Sequence, residues 1–137
     1  MARGRFSTKQ QAMGLRKQVW ACLRCPESFD AKHEFCPSCH SPVQYFPSAG
    51  ELRRYRELQL LQHSGAISDL ELQPPFDVVI NGEKVFTYRA DFKYTRDDQR
   101  VIEDVKGTLN EKYLDPVFKL KRKIVEAVFN IQVTIVK

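Results

Sequence analysis

Four cysteines, Cys22, Cys25, Cys36 and Cys39, fall in two C-x2-C pairs separated by ten residues. Each pair can offer two thiolates from one tight turn, and four thiolates complete the tetrahedral all-sulfur shell that Zn²⁺ prefers. The second pair reads Cys-Pro-Ser-Cys-His, the form of the second half of a zinc ribbon. Two disulfides are the plainer alternative, but no apolar leader-like segment near the start argues for an oxidising compartment. His33 and His40 lie close by, yet four sulfurs already close the shell, which leaves both outside it. A closed shell has no open position for substrate, so this metal would be structural, holding residues 20–42 together without a large core.

A second group of residues could do chemistry. If the hairpin centred on Asp97-Asp98 is symmetric, residues whose numbers add to 195 face each other, which sets Asp91 opposite Asp104 and Arg89 opposite Lys106. Facing side chains in a sheet have Cβ atoms roughly 4.5–5.5 Å apart, where like charges are destabilising. Two carboxylates so placed call for a cation, and Mg²⁺ is the usual hard-ligand choice. The plainer alternative is a solvated charged face on which Asp91 pairs diagonally with Lys106. Two misfits weigh against it. Glu51 sits inside the apolar arc of Leu52, Tyr55, Leu58 and Leu61 on the first helix. Lys121 falls within the apolar side formed by Val117, Phe118, Leu120, Ile124, Val125 and Val128 on the second, while Lys119, Arg122 and Lys123 point elsewhere. Part of Glu51's position is explained by helix capping, and Lys121 either snorkels or reaches a phosphate.

The elements that must position these residues follow from local signals. Ser48-Ala49-Gly50-Glu51 is a capping box opening a helix to about His63, with Gly65 near its end. A strand from about Leu70 passes Pro74-Pro75 to Ile80, its prolines favouring a sheet edge. Asn81-Gly82 is a two-residue hairpin signal, followed by a strand from about Val85 to Tyr94. After the Arg96–Gln99 turn, Val101 to Lys106 is a third strand. Asp115-Pro116 opens a helix to about Phe129, and Ile131 to Val136 is a closing strand. The order is αβββαβ: a meander, then a crossover helix that can deliver its strand parallel to the third.

Carried on this order, the residues resemble the PD-(D/E)XK nuclease superfamily, whose restriction-endonuclease-like core is an α/β (α+β) αβββαβ run around a mixed four-stranded sheet. The acid ending the second strand would be Asp91 in Tyr-Arg-Ala-Asp-Phe, and the acid-X-lysine motif Asp104-Val105-Lys106 in Val-Ile-Glu-Asp-Val-Lys-Gly. The helix-one acid of many members would be Glu51. Residues 46–137 are similar to a small phage and prophage family of this superfamily, which includes Holliday-junction resolvases and very-short-patch repair enzymes. Ala90 replaces the proline that names the motif. Glu103 precedes Asp104, and strand alternation puts Asp104 with Lys106 on one face and Glu103 with Val105 on the other. Asp104 is therefore the choice and Glu103 the runner-up.

The resemblance implies a Mg²⁺- or Mn²⁺-dependent endonuclease that hydrolyses DNA phosphodiester bonds, selective for branched or junction structures, with a homodimer admitted. Asp91, Asp104, the Val105 carbonyl and Glu51 would hold the metal, with Lys106 beside the attacking water. The competing expectation is a non-catalytic nucleic-acid-binding protein on a degenerate nuclease fold.

Charge agrees with a polyanionic partner. The 137-residue chain carries a net charge of +5. Arg3, Arg5, Lys9, Arg16 and Lys17 account for all of it, since residues 1–20 contain no acid. A basic arm over residues 1–19 on a neutral body suits DNA or RNA, although a solvated terminus would look the same. The arm residues Arg3, Arg5, Arg16 and Lys17, with Lys119, Lys121 and Lys123, form the candidate phosphate-contacting set. Hydrophobic residues at 42% and charged residues at 28% are ordinary for a globular protein. No apolar run is long enough to span a bilayer, so a cytoplasmic protein is expected, in the host cytoplasm if phage-encoded.

Overall fold

The structure, a computed structural model, describes residues 18–137. Arg3, Arg5, Arg16 and Lys17 lie outside the described residues. The chain divides into two compact units, residues 1–52 and 53–137.

In the first unit, β1 (Val19–Cys22), β2 (Ser28–Phe29) and β3 (Val43–Phe46) form an antiparallel sheet in the order β2-β1-β3. Val19, Ala21, Cys22 and Phe46 are its buried apolar side chains, and Trp20 meets Tyr45 across the β1–β3 pair at a centroid distance of 5.0 Å. The cysteine module is thus wider than the expected 20–42, because β3 is needed to pair with β1 along its whole length.

Helix α1 (Ala49–His63) begins where the capping box places it. The Glu51 N–H donates to Ser48 Oγ at 3.2 Å, which satisfies one N–H that a helix start leaves open, and the Ser48 hydroxyl donates back to Glu51 Oε1 at 3.3 Å, which orients that carboxylate. Tyr55 and Leu58 are buried, as the apolar arc requires, and the Tyr55 ring stacks with Phe92.

The main sheet of the second unit has the order β4-β7-β8-β9, from β4 (Ser68–Leu72), β7 (Phe92–Arg96), β8 (Gln99–Val105) and β9 (Val133–Val136). Its first three strands are antiparallel, and β9 runs parallel to β8 after the crossover helix α2 (Pro116–Phe129). The β7–β8 register pairs Phe92 with Glu103 and Arg96 with Gln99, so facing residue numbers add to 195. A short 3₁₀ turn (Glu111–Tyr113) precedes α2. Asp115 caps α2 by accepting the Val117 N–H at 3.0 Å, Pro116 supplies a first-turn residue that needs no partner, and Asn130 closes the helix in the left-handed conformation.

One expectation is corrected. The two long strands expected over 70–80 and 85–94 are each broken, and their distal halves form a separate two-stranded sheet of β5 (Pro75–Ile80) and β6 (Glu83–Arg89). The break occurs at the same level in both arms. Pro74 has no N–H to donate, Gln73 takes a left-handed φ of 49°, and the Gln73 N–H donates to the Asp91 carbonyl while the Ala90 N–H donates to that of Pro74. Those two bonds keep the arms joined while the chain turns from one sheet into the other. Arg89 consequently faces Pro75 rather than Lys106.

Between β5–β6, the main sheet and α2 lies a core of Phe76, Val78, Tyr88, Ala90, Ile102, Val125 and Val133, with Phe86, Phe118, Ile124 and Ile131 packed on it. The apolar side expected for α2 is only partly used: Val117, Leu120 and Val128 are exposed. Among the described residues, no helix is long and apolar enough to cross a membrane.

Candidate functional site

The break in the hairpin sets the geometry around the two aspartates. Asp91 follows the last residue of β6 by two positions and immediately precedes β7, so it belongs to neither ladder. Its N–H is shared between the Glu103 carbonyl at 3.0 Å and Asp104 Oδ1 at 3.1 Å, and its own Oδ2 accepts the Val105 N–H at 2.7 Å. The Tyr88 hydroxyl donates to the other Asp104 oxygen. Tyr88 is buried on β6, with Phe76 and Phe118 on either side. Asp104 is therefore only 3% exposed, with both carboxylate oxygens aimed by fixed donors. Burial pushes its carboxyl up to about 6, against the opposing pull of Lys106, the Asp91 N–H and Arg122.

Glu103 takes the other side of β8, as strand alternation requires. It is 2% exposed and fully engaged: Arg54 of α1 donates Nε to Oε2 at 2.9 Å and Nη2 to Oε1 at 2.7 Å, and the Tyr94 hydroxyl donates to Oε1. Burial and this carboxylate push the Tyr94 hydroxyl up to about 12. A bidentate guanidinium occupies a carboxylate's lone pairs in the plane where a metal would bind. The neighbouring acids thus have separate surroundings: Glu103 closes an ion pair between α1 and the sheet, and Asp104 faces Asp91.

Two cations flank the Asp104 side. Lys106 Nζ lies 4.0 Å from the centroid of the Phe118 ring, and the Arg122 guanidinium carbon lies 5.7 Å from the same centroid. Both lower the Asp104 carboxyl through space. Arg122 was expected to point elsewhere; it is drawn here by Phe118 and by Glu111, to which Nη2 donates at 2.7 Å. No sequence pattern marks Arg122 or Tyr88, because both reach Asp104 through the fold rather than through strand or helix spacing.

In the first unit the four cysteines are free thiols whose Sγ atoms all lie within 4.8 Å of one another. Cys22 and Cys39 approach to 3.4 Å, and Cys25 and Cys36 to 3.5 Å. A tetrahedral shell with Zn–S bonds of about 2.3 Å has edges of roughly 3.8 Å, so the donor set fits a structural zinc ion. The N–H groups of Arg24 and Cys25 both donate to Cys22 Sγ at 3.4 Å. Hydrogen bonds from Ser41 bring the Cys39 thiol down to about 6. At Cys25 the Glu27 N–H favours the thiolate, but burial and the three neighbouring sulfurs outweigh it and carry the thiol up to about 12. Four thiolates cannot share so small a volume without a cation.

A family model, described as "Protein of unknown function (DUF1064)", matches residues 42–137. The chain belongs to that family. No curated protein and no solved structure matches it. The family match covers β3, α1 and the entire second unit, and so contains both aspartates while leaving all four cysteines outside.

The remaining expected residues of this DUF1064 chain fall as follows. Glu51 is 4% exposed in the first turn of α1, and its carboxylate accepts from Ser48; its assignment to a metal rests on the resemblance alone. Val105 is buried on β8. Lys121 is half-buried with Nζ 5.4 Å from the Phe86 ring centroid, which accounts for a lysine on the apolar side of α2. Lys119 is half-buried and Lys123 exposed.

Proposed function

We propose that the DUF1064 chain is a metal-dependent endonuclease of the PD-(D/E)XK type acting on DNA. The observation that carries this reading is the pairing of Asp91 with Asp104 at the hairpin break, with Lys106 two residues along the same strand face. A buried carboxylate with no cation in contact among the described residues is costly, and Asp104 is such a group. Two hard oxygen donors side by side suit Mg²⁺ or Mn²⁺, with the Val105 carbonyl as a further donor. When bound, the metal supplies Lewis-acid polarisation of a phosphate oxygen and a lowered pKa for the attacking water.

The protein's own residues supply the rest. Tyr88 and the Asp91 N–H fix the Asp104 carboxylate, so that no rotamer search accompanies metal binding. Lys106, held over Phe118, orients or deprotonates the water or offsets charge on the transition state. Lys119, Lys121 and Lys123 on α2 support phosphate contacts away from the cut, as do Arg3, Arg5, Arg16 and Lys17 in the arm. The Zn²⁺ ribbon is structural. Branched or junction DNA is the preferred substrate class and follows from the resemblance.

The test is an end-labelled panel of four-way junction, flap, duplex and single strand, incubated with Mg²⁺ or Mn²⁺ beside Asp104→Asn. Metal-dependent cuts that disappear in the variant support the enzyme. Salt-sensitive binding without cutting on every substrate would replace it with the non-catalytic nucleic-acid-binding reading.

A further inference from the structure

Among the described residues, Arg122 is the one guanidinium that bears on Asp104, and nothing in the α2 pattern assigns it a task. Its side chain is only 16% exposed, although its partner Glu111 is 58% exposed. It shares the Phe118 ring with Lys106, and both cations lower the same carboxyl. Among the described residues its one hydrogen bond is from Nη2 to Glu111, so the other donors of its planar fork are uncommitted. The Glu111 bond alone would hold the 3₁₀ turn against α2; the contact with the Phe118 ring, which also carries Lys106, brings the guanidinium to the side of the sheet where Asp104 lies.

We propose that Arg122 binds the phosphodiester of the substrate directly, with the Phe118 ring as its platform, and that Glu111 occupies the guanidinium only until a phosphate takes its place. This rests on the nuclease reading above. A planar fork matches two oxygens of one phosphate, which an ammonium cannot do. A pentavalent transition state carries more negative charge on those oxygens than the ground state, so the contact strengthens as the reaction proceeds. The two carboxylates and the two cations around Phe118 then divide the work: acids toward the metal, cations toward the phosphate. Glu111 competes for the same guanidinium, and a phosphate carrying its own negative charge can displace a carboxylate exposed to water at little cost.

The ion-pair role and the phosphate role make opposite demands on the two partners. Arg122→Ala and Glu111→Gln each remove the pair, but only the first removes the phosphate contact. The full chain is assayed for cleavage in Mg²⁺ and for binding to a labelled duplex by anisotropy in Ca²⁺ across a salt series. Arg122→Ala is expected to cut about 10- to 100-fold more slowly, mainly in kcat. Its salt slope for binding should fall by about one. Glu111→Gln should retain wild-type rates or exceed them, and Arg122→Lys should recover binding more than turnover. Equal losses in Arg122→Ala and Glu111→Gln would overturn the proposal in favour of a structural ion pair. So would an unchanged Arg122→Ala in a protein that cuts, which leaves the nuclease reading standing. If the wild type binds without cutting, the salt slope still decides on Arg122; if it neither binds nor cuts, both readings fall. Should Arg122→Ala not fold, Arg122→Gln with the same salt series replaces it.

Discussion

Neutralising two adjacent acids should change stability in opposite directions. Asp104 and Glu103 are consecutive on β8 and nearly equally buried, yet one is met by the Tyr88 hydroxyl and the Asp91 N–H and the other by an arginine. Moving the Asp104 carboxyl from 3.8 to about 6 corresponds to roughly 3 kcal/mol of penalty on the ionised form. Its folded-state pKa lies above the unfolded value. The stability is therefore fully present below about pH 4 and lost as pH rises through 6. Asp104→Asn removes that penalty but weakens the bonds from Tyr88 and the Asp91 N–H, at a cost of ~1–2 kcal/mol. The net at pH 7.5 without divalent cations is a gain of ~1–2 kcal/mol, which turns into a loss of ~1–2 kcal/mol near pH 4, where the penalty is gone and only the weakened bonds remain. Glu103→Gln breaks charge-assisted bonds to Arg54 and should lose ~2 kcal/mol at pH 7.5. Urea unfolding of the two variants and the wild type at both pH values measures each quantity. If Mg²⁺ binds Asp104, metal at ten times its dissociation constant should restore about 1.4 kcal/mol to the wild type and nothing to Asp104→Asn. A loss in Asp104→Asn equal to that in Glu103→Gln, or a gain independent of pH, would refute the distinction drawn between the two faces of β8.

Three further expectations concern parts of the fold away from the aspartates. Asp115→Ala removes the cap of α2 and should destabilise by ~1 kcal/mol in the same urea assay, while Asp115→Asn should be close to neutral. Asp98 holds a left-handed φ of 61° at the β7–β8 turn, so Asp98→Gly should raise the unfolding midpoint by an amount corresponding to ~0.5–1 kcal/mol; a drop would show that its side chain matters more than its backbone. Purified protein should carry about one zinc per chain by atomic emission, and Cys36→Ser should lose most of it. A wild-type zinc content near zero after purification without chelators would remove the basis for the ribbon.

What could be read in advance was local. Ser48 and Glu51, Asn81-Gly82, and Asp115-Pro116 each act within a few residues, and each sets the boundary that its side-chain chemistry requires. The β7–β8 register follows from the Asp97-Asp98 turn for the same reason. The break at Gln73-Pro74 and Ala90-Asp91 was hidden because apolar alternation continues through it and only the backbone changes sheet. The partner of Glu103 was hidden by distance: Arg54 is 49 residues away along the chain, on a helix whose polar residues other than Glu51 resemble a solvated face. Arg122 was misplaced because a helical wheel gives direction from the axis, whereas a long side chain can bend toward a ring and an acid. The exposed Val117, Leu120 and Val128 mark the converse limit, since periodicity shows which side of α2 is apolar and not how much of it is covered.

The hairpin changes sheet just before Asp91 without changing its alignment: facing residue numbers add to 164 from Glu71–Lys93 and Leu72–Phe92 in the main sheet to Phe76–Tyr88 and Val78–Phe86 in β5–β6. The tip at Asn81-Gly82, beyond an irregularity between Val78 and Val79, departs from it; Asp97-Asp98 sets the separate alignment of β7 with β8. A two-residue extension of the tip beyond that irregularity would leave Tyr88 and its bond to Asp104 in place, and the alignment of Asp91 with Asp104 is held by β7–β8. The β5–β6 tip is thus a segment in which length and sequence can drift among relatives without disturbing the acids, and a place to attach a label or graft a peptide.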